Sequence, residues 1–244
     1  MDMKNFSFLE PEQAEMFSQR MDHNLYVIRR ENKLIGLFYQ GIISNFYKAT
    51  IMVNPAVLDA FVKSDLSPVG RMHSTEFVNY MNNVLDANHR SVAFTCGEQV
   101  IMAMKAAFCN DYDALDDILA SGHLHPFKIK EKGRAVKGFT PKAKAWDRFR
   151  LTVAHFIVWY RYNNHPEFTR IVSTLFEAAR QDPTICDIQM YEASPSDNIW
   201  GVGMSAHDAA KRMLAAGMQS WESNHSHKVF TVAFERLIQQ QYVE

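Results

Sequence analysis

The chain has 244 residues, of which 47% are hydrophobic and 22% charged, and its formal net charge is -1. That length buries a substantial core in one large domain, or in one domain with extensions. The near-neutral balance excludes a global field selecting a polyanionic partner, so any nucleic-acid contact has to come from a local patch. Three cysteines, Cys96, Cys109 and Cys186, form no Cys-x-x-Cys pair. An odd count without a framework points to reduced thiols and a cytoplasmic protein. The first residues lack the apolar core of a signal peptide. The most apolar run, Leu151 to Tyr160, contains His155 and is too short to span a bilayer. No membrane association is expected.

In chain order, residues 4–24 predict an amphipathic helix with Phe8, Leu9, Met16, Phe17 and Met21 on its apolar face. Tyr26 to Arg29 and Leu34 to Tyr39 predict two strands joined as a hairpin at Glu31-Asn32. Thr50 to Val53 is a further short strand. Helices are expected over Pro55–Lys63 and, after Pro68 and Gly70, over about Thr75–Leu85. Residues 54–90 are irregular and too few to hold their own core, so they read as an insertion packed on the main domain.

Thr95 to Phe108 predicts a buried helix with Val100, Ile101, Met104 and Phe108 as apolar positions. Glu98 and Lys105 are seven residues apart, two helical turns, and so project from one face about 10 Å apart along the axis. Two aligned charges on an otherwise apolar helix mark either a pocket wall or a solvent-facing edge, and burying either charge is costly without a partner. An acidic stretch follows (Asp111, Asp113, Asp116, Asp117) and starts a short helix that ends at Ser121-Gly122.

Between Lys128 and Arg150 nine basic residues face two acidic ones, Glu131 and Asp147. Such an excess steers a phosphate or nucleic acid, or it balances the preceding acids on a solvated face. Long helices are expected over Trp146–Asn163 and Glu167–Gln181, a strand over Cys186–Tyr191, and closing helices over residues 206–218 and 224–241. Together these predict a predominantly helical α+β fold with a small β-sheet.

Residues 192–203, Glu-Ala-Ser-Pro-Ser-Asp-Asn-Ile-Trp-Gly-Val-Gly, suit neither a core strand nor a helix. Gly201 and Gly203 allow backbone to approach a ligand closely, and Trp200 offers a stacking face. A surface loop anchored by one Trp is the plainer alternative. The run is not a dinucleotide fingerprint, and no phosphate-binding Walker loop or nucleophile elbow occurs. His123-x-His125 and His225-x-His227 lack the partners of a zinc site, so no metal is expected. Cys96 beside Glu98 has no local motif of a nucleophile.

Four pieces occur in order: Ser44-Asn45-Phe46-Tyr47, Thr95 through Glu98 to Lys105, Gly133-Arg134, and the segment from Glu192 to Gly203. This series resembles the NADAR superfamily, also called YbiA-like, which has a close variant of Glu-Ala-Ser-Pro-x-Asp-x-x-Trp-Gly-Ile-Gly in the last position. The family usually has His where Gln99 stands. It also usually carries a Gly-Gln-Asn-Leu-Leu-Gly type segment after a Trp near the C-terminus. Here Trp221 is followed by Glu222 to His227, and only Asn224 corresponds. The likeness covers roughly residues 36–240.

The resemblance implies a YbiA-like compact single domain over residues 36–244, with an insertion at about 54–90. Residues 1–35 then form an N-terminal helical extension and the start of the hairpin. It also implies an N-glycosidase that needs no cofactor and cleaves the bond between ribose C1 and a base nitrogen. Two substrate classes go with such proteins: ADP-ribose attached to guanine, in a nucleotide or in DNA, and phosphoribosyl pyrimidines of riboflavin biosynthesis. A non-catalytic ADP-ribose or nucleotide-binding module is the alternative from another class.

On the family pattern Lys105 attacks C1 and holds the opened sugar as a Schiff base, while Glu98 or Asp197 stabilises positive charge on the ribose or activates water. Arg134 binds phosphate, Asn45 orients ribose hydroxyls, and Phe46 and Trp200 stack on the base. Glu192, Ser194, Gly201 and Gly203 complete the substrate-binding set. The basic segment 128–150 is the expected place for any DNA contact.

Overall fold

The computed structural model describes residues 25–65, 68–85 and 91–242; the helix expected over residues 4–24 lies outside them. The described chain divides into two compact units, residues 25–44 with 162–241, and residues 45–161.

In the first unit, β1 (Leu25–Arg30) and β2 (Lys33–Phe38) form the expected antiparallel hairpin, with Ile28 opposite Ile35. Glu31 turns the chain with φ of 55°. β2 also pairs in parallel with β5 (Asp187–Glu192), setting Leu34 beside Ile188, so the sheet order is β1-β2-β5. As the central strand, β2 is buried on both faces, which is why Leu34, Ile35, Leu37 and Phe38 run nearly unbroken in its sequence. One cluster joins Ile35, Leu37 and Tyr191 to Ala209 and Met213 of α8 (Ala206–Ala216) and to Trp221 of α9 (Met218–His225). Phe38 packs edge-on against Phe234 of α10 (Val229–Tyr242), which stacks with Phe168 of α7 (Pro166–Gln181).

A polar network ties α9 to the sheet. Lys33 pairs with Glu222 and with Asp187 (3.2 Å), Gln189 donates to both acids, and the Tyr191 hydroxyl donates to Gln189 at 2.6 Å. The expected closing helices are cut differently. Gly217, at φ of 77°, ends α8 and starts α9, and α9 stops at His225 before α10 begins.

In the second unit, β3 (Lys48–Val53) and β4 (Val92–Cys96) form a two-stranded antiparallel sheet. The helices are α1 (Pro55–Ser64), α2 (Pro68–Val84), α3 (Gly97–Cys109), α4 (Tyr112–Ala120), α5 (Pro126–Arg134) and the first part of α6 (Ala143–Asn164). Asn54 caps α1 by accepting from the Val57 amide, with Pro55 at the first helical position. α2 starts at Pro68 and runs through Gly70, earlier than expected, because proline fits a first helical turn. Thr95 and Cys96 belong to β4, so the central helix begins only at Gly97.

α1 and α2 supply core. The Phe61 ring meets Phe77, His155, Phe156 and Trp159 at centroid distances of 5.1–5.5 Å. The predominantly helical α+β architecture read from the sequence is the one observed, with two small sheets in place of one. Among the described residues no helix is long and apolar enough to cross a membrane.

Phe61→Ala is expected to lower the unfolding free energy by about 3–5 kcal/mol, since it removes a fully buried ring from four aromatic neighbours. Chemical denaturation reads this directly, and a loss under about 1 kcal/mol would contradict the packing described.

Candidate active site

α3 is buried all round: twelve of its thirteen residues are buried, and Lys105 is the one that is not. A helix of that kind has no solvent face on which to park a charge. Glu98 is 4% exposed. Lys105 is half-buried; its Nζ donates to the Gly133 carbonyl at 2.8 Å and lies 4.0 Å from the centre of the Phe139 ring. The two aligned charges therefore sit in protein, which settles the alternative of a solvent-facing edge. Burial holds the Lys105 ammonium below the usual lysine range, and the nearby Arg134 charge acts in the same direction. Cys109 opposes the shift.

The approach of α5 to α3 explains Gly133. A Cβ there would stand 1.8 Å from the Met102 sulfur, so only glycine admits the contact that brings the Gly133 carbonyl to Lys105. Arg134 follows at the end of α5; its side chain is exposed and makes no hydrogen bond or ion pair with a described residue. One turn earlier, the Lys130 ammonium lies 5.6 Å from the Phe46 ring centre. α5 thus brings Phe46, Arg134 and Lys105 into one neighbourhood.

Asn45 is buried against the start of α3, where its carbonyl accepts from the Glu98 amide at 3.2 Å. Tyr47 lies beneath the Arg161 guanidinium, 5.8 Å from ring centre to carbon. Arg161 is 2% exposed, and burial pulls its pKa down to about 10. Gln99 is fully used as a brace: its Oε1 accepts from the Thr95 amide and hydroxyl, and its Nε2 donates to the Ile118 and Leu119 carbonyls. Cys96 is buried, and burial pushes its thiol up, away from the thiolate a nucleophile requires.

Glu192, Ser194, Asp197, Trp200, Gly201 and Gly203 fall in the first unit, on the loop after β5. This loop is held mainly by itself. Asp197 Oδ1 accepts from the amides of Ile199 (3.1 Å) and Trp200 (2.9 Å), and the Asp197 carbonyl accepts from Gly203. One carboxylate oxygen of Asp197 is therefore committed to loop shape. The glycines serve the same closure. A Cβ on Gly201 would lie 2.4 Å from the Glu192 carbonyl oxygen, which accepts from Val202 at 2.8 Å. Gly203 adopts φ of 72° beside Asn198.

Trp200 packs on Phe230 at 5.4 Å, and the Ile199 and Trp200 carbonyls accept from the first amides of α10. Ser194 is buried, its carbonyl accepting from the Asp197 amide, while Glu192 is half-buried at the end of β5.

Much of the basic segment is spent internally. Lys128 pairs with Glu131 (2.8 Å), Lys132 with Asp117, and Arg150 with Asp147 (3.1 Å), and Lys142 donates to the Phe108 carbonyl. Lys137, Lys144 and Arg148 of the segment are exposed, as Arg134 is. His123 and His125 bond to local backbone, and among the described residues no group of three or more His, Cys, Asp or Glu side chains is placed to hold a metal ion.

Sequence reasoning missed Lys130, Phe139 and Arg161. Lys130 was hidden within a run of cations. Arg161 had a signal, as the lone cation ending an apolar helical stretch.

The NADAR domain model matches residues 38–225. The Caenorhabditis elegans protein irg-1 is 25% identical over 190 residues, 77% of this chain and 74% of that protein. The N-glycosidase R617 of Acanthamoeba polyphaga mimivirus is 29% identical over 133 residues, 54% of this chain and 67% of that protein. With the domain match spanning both units and most of the sequence, the chain belongs to the NADAR family.

Proposed function

We propose that this protein is an N-glycosidase that hydrolyses the bond between C1 of a phosphorylated ribose and a base nitrogen, with guanine carrying ADP-ribose as the preferred substrate. Family membership and the mimiviral relative named as an N-glycosidase support the reaction class. The observation that carries the reading is the Lys105 amine: half-buried, shifted toward neutrality and hydrogen-bonded to a single carbonyl, on a helix that also buries Glu98.

In this mechanism neutral Lys105 keeps its N–H bond to Gly133 and directs its lone pair at C1. The C1–N bond breaks with its electron pair moving to the base nitrogen, which takes a proton. Ring opening moves a second electron pair to the ribose oxygen and leaves C1 doubly bonded to Nζ. Water then adds to C1, and the amine departs from the free sugar. Glu98 stabilises the positive charge that develops on the ribose. Arg134 and Lys130 serve the phosphates, and Phe46 stacks on the base. The exposed Lys137, Lys144 and Arg148 allow contact with a flanking DNA backbone, which favours the larger ADP-ribosyl substrate over phosphoribosyl pyrimidines.

Release of guanosine from its ADP-ribosylated form and of the base from a phosphoribosyl pyrimidine, assayed side by side, tests the choice, and turnover of the guanosine substrate is expected to be the faster. Binding of both without release of either would make the chain a binding module and overturn the proposal. Lys105→Ala is expected to abolish turnover, and Glu98→Gln to slow it by about 10²–10⁴-fold, with the fold intact by circular dichroism. Either folded variant at full activity would exclude that residue from the chemistry.

The pH dependence has a definite sign. Activity that needs neutral Lys105 rises with pH through a pKa below that of an ordinary lysine. Arg134→Gln removes a like charge, so the acidic limb of kcat should move to higher pH; an unchanged or lower limb would contradict the assignment.

A further inference from the structure

The first unit carries a groove of about 620 Å³ between the end of the Glu192–Gly203 loop and helices α8 and α9. That volume suits one small ligand. Its walls carry two groups that take positive charge, Arg212 and His225, together with Asn198 and Asn224; Val202 and Met204 give it an apolar side. Among the described residues no acidic side chain lines it.

Arg212 is exposed and makes no hydrogen bond or ion pair with a described residue. Asp208, four residues earlier on the same helix, is engaged with Ser205 at the helix start. The His225 ring lies nearly parallel to the Trp221 indole at 3.9 Å. Its Nδ1 is 2.9 Å from the Trp221 carbonyl, which can only accept, so Nδ1 carries the proton and Nε2 is left for a ligand. Burial, reinforced by Lys228, His227 and Arg212, holds the imidazole below its usual pKa, and an anion beside it would offset those cations.

The groove wall is preorganised. Glu222 of α9 is tied to Lys33 and Gln189, Trp221 packs edge-on against Tyr191 at 5.5 Å, and Lys228 donates to the Asn198 carbonyl at 2.6 Å. The wall is set before a ligand arrives, and the exposed Arg212 side chain is the part a ligand has to order.

We propose that this groove binds a phosphate-bearing nucleotide, its phosphate held by Arg212 and His225 and its base and sugar lying against Val202 and Met204. An uncommitted guanidinium is the group that recognises phosphate oxygens in a bidentate way, and His225 becomes a second donor through Nε2 once the anion protonates its ring; the Asn224 amide, which already donates to the Ser220 carbonyl at 2.7 Å, has one N–H left. The site needs neither Lys105 nor Glu98, so it stands apart from the N-glycosidase reading. The ligand is a free nucleotide, distinct from the substrate of the N-glycosidase reading.

Calorimetry on the full chain with ADP, inorganic phosphate and adenosine tests the proposal. ADP is expected to bind more tightly than adenosine, and Arg212→Gln to weaken ADP by about tenfold or more. His225→Gln should weaken it in the same sense, and ADP should shift the His225 proton resonance toward the protonated form. Undiminished ADP affinity in both variants, or no ADP binding to the folded protein at millimolar concentration, would overturn the site. In turnover, Arg212→Gln is expected to leave KM unchanged; a raised KM would place the substrate in the groove and overturn a separate nucleotide site. The binding arm decides even if the protein turns over nothing.

Discussion

The close passage of α5 over α3 is the contact on which the candidate chemistry rests. It exists because residue 133 is glycine and residue 102 is a methionine whose sulfur fills the space a side chain would take. That passage delivers a backbone carbonyl to Lys105, sets Arg134 near it, and places Lys130 over Phe46. Lys105 is half-buried on a helix whose other residues are all buried, and that burial disfavours its charge relative to an ordinary lysine. The same burial that stabilises the helix through apolar contact favours the neutral amine that the proposed mechanism needs.

The Glu192–Gly203 loop illustrates how a motif serves its own architecture before it serves a ligand. Two glycines and an aspartate look like ligand-contacting residues in sequence. In the structure Gly201 makes room for the Glu192 carbonyl, and Asp197 turns the chain by accepting two amides. These residues hold a shape, and Trp200, packed on Phe230, anchors the loop to α10. The weight of the catalytic proposal accordingly rests on α3, with Asp197 in a supporting position.

Much of this was legible in the sequence. The hairpin at Glu31-Asn32, the buried helix bearing Glu98 and Lys105, and the long helices α6 and α7 follow from periodicity and turn residues. What was not legible depends on distant partners. The parallel pairing of β2 with β5 joins segments about 150 residues apart, and no local pattern encodes it. α5 was hidden because its cations and Gly133 resemble a solvated loop, and its helical face becomes apolar only once Ile129 and Gly133 meet α3. Thr95 and Cys96 were read into the helix because their strand character comes from β3 alongside. The break at Gly217 shows the opposite case, where a single left-handed residue overrides helical neighbours on both sides.

The central claim is that Lys105 forms the covalent bond to ribose C1. Reduction with cyanoborohydride during turnover of ADP-ribosylated guanosine, followed by peptide mass mapping, tests it most directly. A sugar adduct is expected on the peptide containing Lys105 and is expected to be absent from Lys105→Ala. Full release of guanosine with no adduct at Lys105, or with the adduct on another lysine, would contradict it.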